Sequence, residues 1–272
     1  MVKRIHPFAV TVWKYYRQHG RHGLPWRCPP EPIGDFDPYK ILVSEVMLQQ
    51  TQVLRVIPKY EAFLKQFPTV QLLAEAPLSA VLRTWNGLGY NRRAKFLHQA
   101  AQRIVIEHSG KLPMSTHELV KLPGIGSNTA GAVLAYAFNI PAVFLETNIR
   151  TVYIHHFFPD QTDIPDKEIL RVAQVHLDSQ YPRQWYWALM DYGAHLKRTV
   201  GNLNRSSQSY AKQSKFEGSK RQLRGKALQL LGERSYDEAE LQDILADDRA
   251  ASVVGDLLCE GLIQKQAGQL VL

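Results

Sequence analysis

Between residues 37 and 199 the chain is punctuated for helices and for little else. Asp37-Pro38 reads as an N-cap followed by a first-turn proline ahead of YKILVSEVMLQQ. TQVLRVIPKYEAFLKQF continues as a second helix, with a bend or break expected at Pro58 because proline lacks the N–H the ladder needs. Pro77 opens PLSAVLRTWNG, which stops at Gly87, and NRRAKFLHQAAQRIVIEHSG runs to Gly110. Ser115 and Glu118 form a capping box. SNTAGAVLAYAFN, ETNIRTVYIHHFF, DKEILRVAQVHLDSQ and RQWYWALMDYGAHLKR complete the set. Alternating strand patterns are nearly absent before residue 260, so the body is all-α.

Hydrophobic residues make up 45% of the 272 positions and charged residues 21%, which is enough apolar surface for a real core. No apolar run is long enough to span a bilayer. MVKRIHPFAVTVWKYYRQHG starts basic but has neither a long apolar stretch nor a small-residue cleavage site, which argues against a secretory signal. The expected location is the cytoplasm, nucleoid-associated if the source is bacterial. Only Cys28 and Cys259 are present, too few for a disulfide framework or a four-cysteine metal site.

The net charge of +8 favours a polyanionic partner, and its distribution is uneven. Lys197, Arg198, Arg205, Lys212, Lys215, Lys220, Arg221, Arg224 and Lys226 crowd one segment, whereas acidic residues dominate from Ala227 onward. Residues 200–219, VGNLNRSSQSYAKQSKFEGS, are polar and glycine-containing and read as a basic linker between a body at 1–199 and a small domain at 220–272. That last piece offers three helices and two short β-like runs around Ala267-Gly268, a winged-helix-like pattern. Its acidity argues against duplex binding and leaves a protein partner open.

Two local features carry chemistry. Glu45 lies in SEVMLQQT with Ile41, Leu42, Leu48 and Gln49 as its helical neighbours, an apolar setting that would raise a carboxyl pKa and keep a proton available. Residues 122–130, LPGIGSNTA, place Gly124 and Gly126 on either side of Ile125 between two helices. The glycines allow a sharp turn, and the free N–H groups of the next helix, with its positive dipole end, suit a phosphate.

These stretches together resemble the helix-hairpin-helix DNA glycosylase superfamily, nearest to its adenine glycosylases of the MutY type. The resemblance rests on LPWR at 24–27, PYKILVSEVMLQQTQV at 38–53, FPTVQLLAEAPLSAVLRTWNGLGY at 67–90, the hairpin, the carboxylate in FLETNIRTV and ALMDYGAH at 188–195. It covers roughly residues 8–197.

The resemblance implies a base-excision enzyme that binds double-stranded DNA, flips one nucleotide and hydrolyses its N-glycosidic bond, with a monomer as the default state. Glu45 matches the family's acid and Glu146 its cation-stabilising carboxylate, placed at a helix start where the dipole would favour the ionised form. Gln50 and Tyr90 match residues that intercalate into the DNA stack. Leu122, Gly124, Ile125, Gly126, Ser127 and Thr129 match the phosphate-binding hairpin, and Asn128 and Asn148 the lyase position and pocket. Adenine opposite 8-oxoguanine is the expected substrate. A deaminated purine or a mispaired thymine is the alternative target, and a catalytically impaired lesion-binding protein the non-enzymatic one.

This chain departs from the pattern in several ways. The second carboxylate is Glu146 rather than aspartate, so Thr147 is expected to take over capping. Asn128 stands where β-lyases carry lysine, and an amide cannot form a Schiff base. HLKRTVGNLNR, where an iron–sulfur loop usually follows, has no cysteine, so no cluster is expected. Lys197, Arg198 and Arg205 are the candidates for DNA contacts there. A structural cation held by hairpin carbonyls stays open.

Overall fold

The computed structural model describes residues 6–28 and 35–272. The first residues of the basic N-terminal stretch, which enter the reading against a secretory signal, lie outside the described residues.

The described helices in chain order are α1 (Pro7–His19), α2 (Pro38–Leu48), α3 (Val53–Gln66), α4 (Val70–Glu75), α5 (Leu78–Trp85), α6 (Arg92–His108) and α7 (Thr116–Leu119). They continue as α8 (Ser127–Phe138), α9 (Thr147–Phe157), α10 (Asp166–Val175), α11 (Pro182–Thr199), α12 (Lys220–Glu233), α13 (Glu238–Leu245) and α14 (Ala250–Cys259). A hairpin, β1 (Gln264–Gln266) and β2 (Gln269–Val271), closes the chain. No described helix is long and apolar enough to cross a membrane.

The residues group into two compact units. The first takes residues up to 41 with 114–120 and 125–212, and the second takes 42–113, 121–124 and 213–272.

In the first unit α9 packs on α11 and α11 on α1. Gly193 on α11 makes the α9 contact feasible, since a Cβ there would stand 2.1 Å from the backbone oxygen of Asn148. Phe8 meets Tyr153 and Trp185 at ring separations of 5.5 and 5.8 Å and anchors an aromatic core. Asp191, buried in α11, accepts from Arg27 Nη1 (2.8 Å) and Nη2 (3.2 Å) and from Arg21 N (2.8 Å) and Nε (2.6 Å). Burial works to raise its pKa, but Arg27 and Arg21 overcome that and hold the carboxyl below its ordinary value.

In the second unit α6 buries Ala94, Leu97, Ala101 and Ile104, one stripe at helical spacing, against α4 and α5. Phe63 and Trp85 pack edge to face at 6.0 Å.

Three readings of the sequence need revision. Pro58 does not interrupt α3, which runs through it. Leu54 and Pro58 are both exposed, so the carbonyl that loses its partner lies on a side water can reach. Residues 200–208 are not a free linker. Leu203–Ser206 form a 3-10 turn, Asn204 Nδ2 donates to Thr151 Oγ1 (2.7 Å), and Ser207 Oγ donates to Asp166 Oδ1 (3.2 Å). A backbone bridge ties Ile164 to Ser207. Polar side chains fasten this stretch, which apolar periodicity could not reveal.

Lastly, the C-terminal module packs on α5 by way of α12 and is joined to α6 by polar contacts, rather than standing apart. Leu223, Ala227, Leu228 and Leu231 form the buried face of α12, Arg83 Nε donates to Gly232 O (3.1 Å), and Arg92 pairs with Glu260 (3.7 Å). The module is the expected three helices and hairpin. Its turn has positive φ at Ala267 (48°) and Gly268 (84°), the backbone a tight two-residue hairpin prefers. Part of the opposed charge pattern cancels locally, because Lys220 meets Asp256 (2.7 Å) and Arg224 meets Glu260.

Candidate active site and nucleic-acid interface

Glu45 stands on a helix that is apolar nearly all round. Ile41, Leu42, Val43, Val46 and Met47 are buried, and Glu45 itself is partly buried. The helix ends at Leu48, and Gln50 then takes left-handed backbone, φ 54°, leaving its side chain exposed.

Tyr90 has the same property on the turn after α5. Gly87 (φ 91°) and Gly89 (φ 69°) make the reversal, Tyr90 follows at φ 48°, and Trp85 Nε1 donates to Gly89 O (3.2 Å). Few non-glycine residues adopt this conformation, and two do so on adjoining turns here. The structure brings their tips together. The amide of Gln213 donates to Gln50 Oε1 (3.2 Å) and to the Tyr90 hydroxyl, which also accepts from Arg221 Nη1 (2.6 Å). A cavity of about 680 Å³ opens beside them, lined among others by Gln50, Arg55, Tyr90, Arg221, Lys226 and Arg249. Amide, aromatic and guanidinium groups around one opening suit bases and phosphates. Gln213 and Arg221 were not legible as site residues, because nothing in a polar, basic stretch marks which member folds back.

On the first unit, Gly126 is the N-cap of α8 and makes no side-chain capping bond. On the second, Gly124 turns at φ 75°, where a Cβ would meet the Phe96 side chain at 2.7 Å. Leu122 and Ile125 are buried anchors. Thr129 is partly buried in the first turn of α8. Asn128 Oδ1 accepts from Leu145 N (3.2 Å), fixing the backbone just ahead of Glu146. Asn148 lies in the first turn of α9, against Gly193.

Glu146 is the N-cap residue of α9, yet its side chain makes no capping bond. Thr147 is already the first helical residue, so the expected transfer of capping to Thr147 does not occur. Burial pushes the Glu146 pKa up to about 6. Desolvation raises it above the ordinary carboxylate range although the group sits at a helix start, and a value of about 6 still leaves the anion dominant at neutral pH. Glu45 belongs to the second unit and Glu146 to the first.

Lys197 and Arg198 are exposed on the last turn of α11, and Arg205 is exposed on the 3-10 turn that follows. A four-cysteine cluster does not fit this chain, whose only cysteines, Cys28 and Cys259, are exposed and belong to different units.

Residues 43–175 match the HhH-GPD superfamily of base excision DNA repair proteins. An adenine DNA glycosylase of Mycolicibacterium smegmatis is 32% identical over 97% of this chain and 94% of its own length. The chain belongs to the HhH-GPD superfamily. A second relative, an adenine DNA glycosylase of Buchnera aphidicola, is 38% identical over 69% of the chain, which spans only 52% of that relative. Among solved structures, a thermostable thymine-DNA glycosylase superposes with a TM-score of 0.60 at 25% identity, covering 69% of this chain and 84% of its own.

Proposed function

We propose that this chain is a monofunctional DNA glycosylase of base excision repair that flips adenine opposite 8-oxoguanine and hydrolyses its N-glycosidic bond. The observation that carries this reading is the pair of turns presenting Gln50 and Tyr90. Both residues hold sparsely populated backbone and share one surface. Such strain clusters where a side chain must be presented to a partner. An amide and a phenol ring there suit a gap left by an extruded base.

In this reading the duplex phosphate rests on the N-terminus of α8. Glu45, in apolar surroundings, donates a proton to the departing base, whose bond to the sugar weakens as positive charge grows on the deoxyribose. Glu146, with a pKa of about 6, is mostly ionised at neutral pH and stabilises that cation or orients water. Asn128 accepts from a backbone N–H and has no amine to attack the sugar, which supports hydrolysis without strand cleavage. Lys197, Arg198 and Arg205 supply backbone contacts, the chain acts without an iron–sulfur cluster, and it works as a cytoplasmic monomer.

The test is base release from duplexes carrying adenine opposite 8-oxoguanine, adenine opposite guanine, a deaminated purine and a guanine-paired thymine. Release of adenine, falling by on the order of a hundred- to ten-thousandfold in Glu45→Gln, supports the reading. Release of thymine or the deaminated purine alone would reassign the substrate. Tight binding with no release anywhere would leave a lesion-binding protein.

A further inference from the structure

The guanidinium of Arg93 ties together the two turns that carry Gln50 and Tyr90. Arg93 is the second residue of α6 and is 9% exposed. Its Nη1 donates to the carbonyls of Val46 (2.7 Å), Met47 (2.9 Å) and Gln49 (2.7 Å). Its Nη2 donates to Thr51 Oγ1 (3.0 Å), Leu88 O (3.2 Å) and Gly89 O (3.1 Å). The first four partners bracket Gln50, and the last two immediately precede Tyr90. The ring faces of Trp85 and Tyr90 lie 5.3 and 5.5 Å from its central carbon.

The chemistry of the site explains why an arginine is needed. A helix leaves its last carbonyls without internal partners and ends with partial negative charge. In α2 the Leu48 carbonyl accepts from Thr51 N (3.2 Å), while Val46 and Met47 turn to Arg93. A planar cation with donors fixed in one fork reaches a helix end and a separate turn at once, which a lysine ammonium cannot do. Burial lowers the Arg93 pKa to about 10, so it stays charged at neutral pH. Left-handed backbone is sparsely populated by non-glycine residues, and this one side chain holds the carbonyls around both turns that adopt it.

We propose that Arg93 is the positioning residue for DNA invasion: it presets the left-handed backbone of the turns that carry Gln50 and Tyr90 before DNA arrives. Arg93 does not itself reach the base. The inference rests on the reading of Gln50 and Tyr90 as strand-invading side chains.

The test follows unstacking by 2-aminopurine fluorescence in a duplex, with single-turnover rates and affinity for undamaged duplex measured alongside. Arg93→Lys keeps the charge but not the fork. It is expected to lose most of the fluorescence rise and on the order of a hundredfold in rate, with affinity for undamaged duplex unchanged. A merely structural lesion would lower all three together. If Arg93→Lys does not fold, Thr51→Val removes one acceptor of Arg93, together with the hydroxyl's own bond to Gln49 O (3.2 Å), and is expected to cost about three- to tenfold in unstacking. Folded variants with wild-type fluorescence and rate would overturn the proposal. Gln50→Ala and Tyr90→Ala separate the two ideas. If they abolish unstacking while the Arg93 and Thr51 variants do not, only the role of Arg93 falls. If they too are silent, the strand-invading reading falls and takes this proposal with it.

Discussion

Glu146 shows how a single position decides chemistry through its surroundings. At a helix start the dipole favours the anion, but burial raises the pKa to about 6. The sign follows from linkage. The folded pKa lies above the ordinary 4.5, so both states are protonated below that value and the fold pays nothing extra. Stability is then lost as the pH rises through about 6, on the order of 2 kcal/mol in all. Glu146→Gln should therefore stabilise the protein at pH 8 and leave it unchanged at pH 4, which thermal unfolding at the two pH values checks. If the anion is the working form, base release should rise with a midpoint near pH 6, and that limb should vanish in the same variant. Asp191 has the opposite sign. Its depressed pKa contributes stability above the ordinary carboxylate value, and the contribution is lost as acid protonates the folded form. Asp191→Asn strands the buried Arg27 guanidinium and should cost about 3–5 kcal/mol, read from denaturant midpoints at pH 7.

At the scale of elements, helix ends and one close crossing carry the site. α9 begins just after its N-cap Glu146 and is pressed against α11 at Gly193. Gly193→Ala would drive a methyl into the Asn148 carbonyl at 2.1 Å, so the helices must separate. The expected loss is about 1–3 kcal/mol, visible in the melting temperature, together with slower base release because Glu146 and Asn148 move with α9. A variant as stable and active as the parent would show the crossing to be looser than it stands. The helix periods, the Ser115 side-chain cap on Glu118 N and the Gly124 turn were all legible in the sequence, because each is set by residues within a few positions of one another. The uninterrupted path of α3 through Pro58 was not, since it depends on which side of the helix meets water.

For the whole molecule, the net charge of +8 is not simply a basic stripe facing an acidic tail. Lys220 and Arg224 are matched with Asp256 and Glu260 inside the second unit, whereas Lys197, Arg198 and Arg205 remain exposed on the first. Reversing the exposed three to glutamate should weaken binding to every duplex sequence alike. It should also flatten the logarithmic salt dependence by about 0.9 for each phosphate no longer neutralised. Titrations at several salt concentrations check this; a slope equal to the parent's would remove these residues from the interface.

The sequence by itself determined the helical class, the hairpin, the positions of Glu45 and Glu146 and the form of the C-terminal module, because periodicity, caps and glycine turns act over short range. Tertiary structure alone decided that Arg93, Gln213 and Arg221 converge on Gln50 and Tyr90, that Asn204 and Ser207 fasten a stretch that looked like a linker, and that burial raises the Glu146 pKa. Those outcomes depend on hydrogen bonds and desolvation between residues far apart in the chain, for which polar sequence leaves no periodic trace.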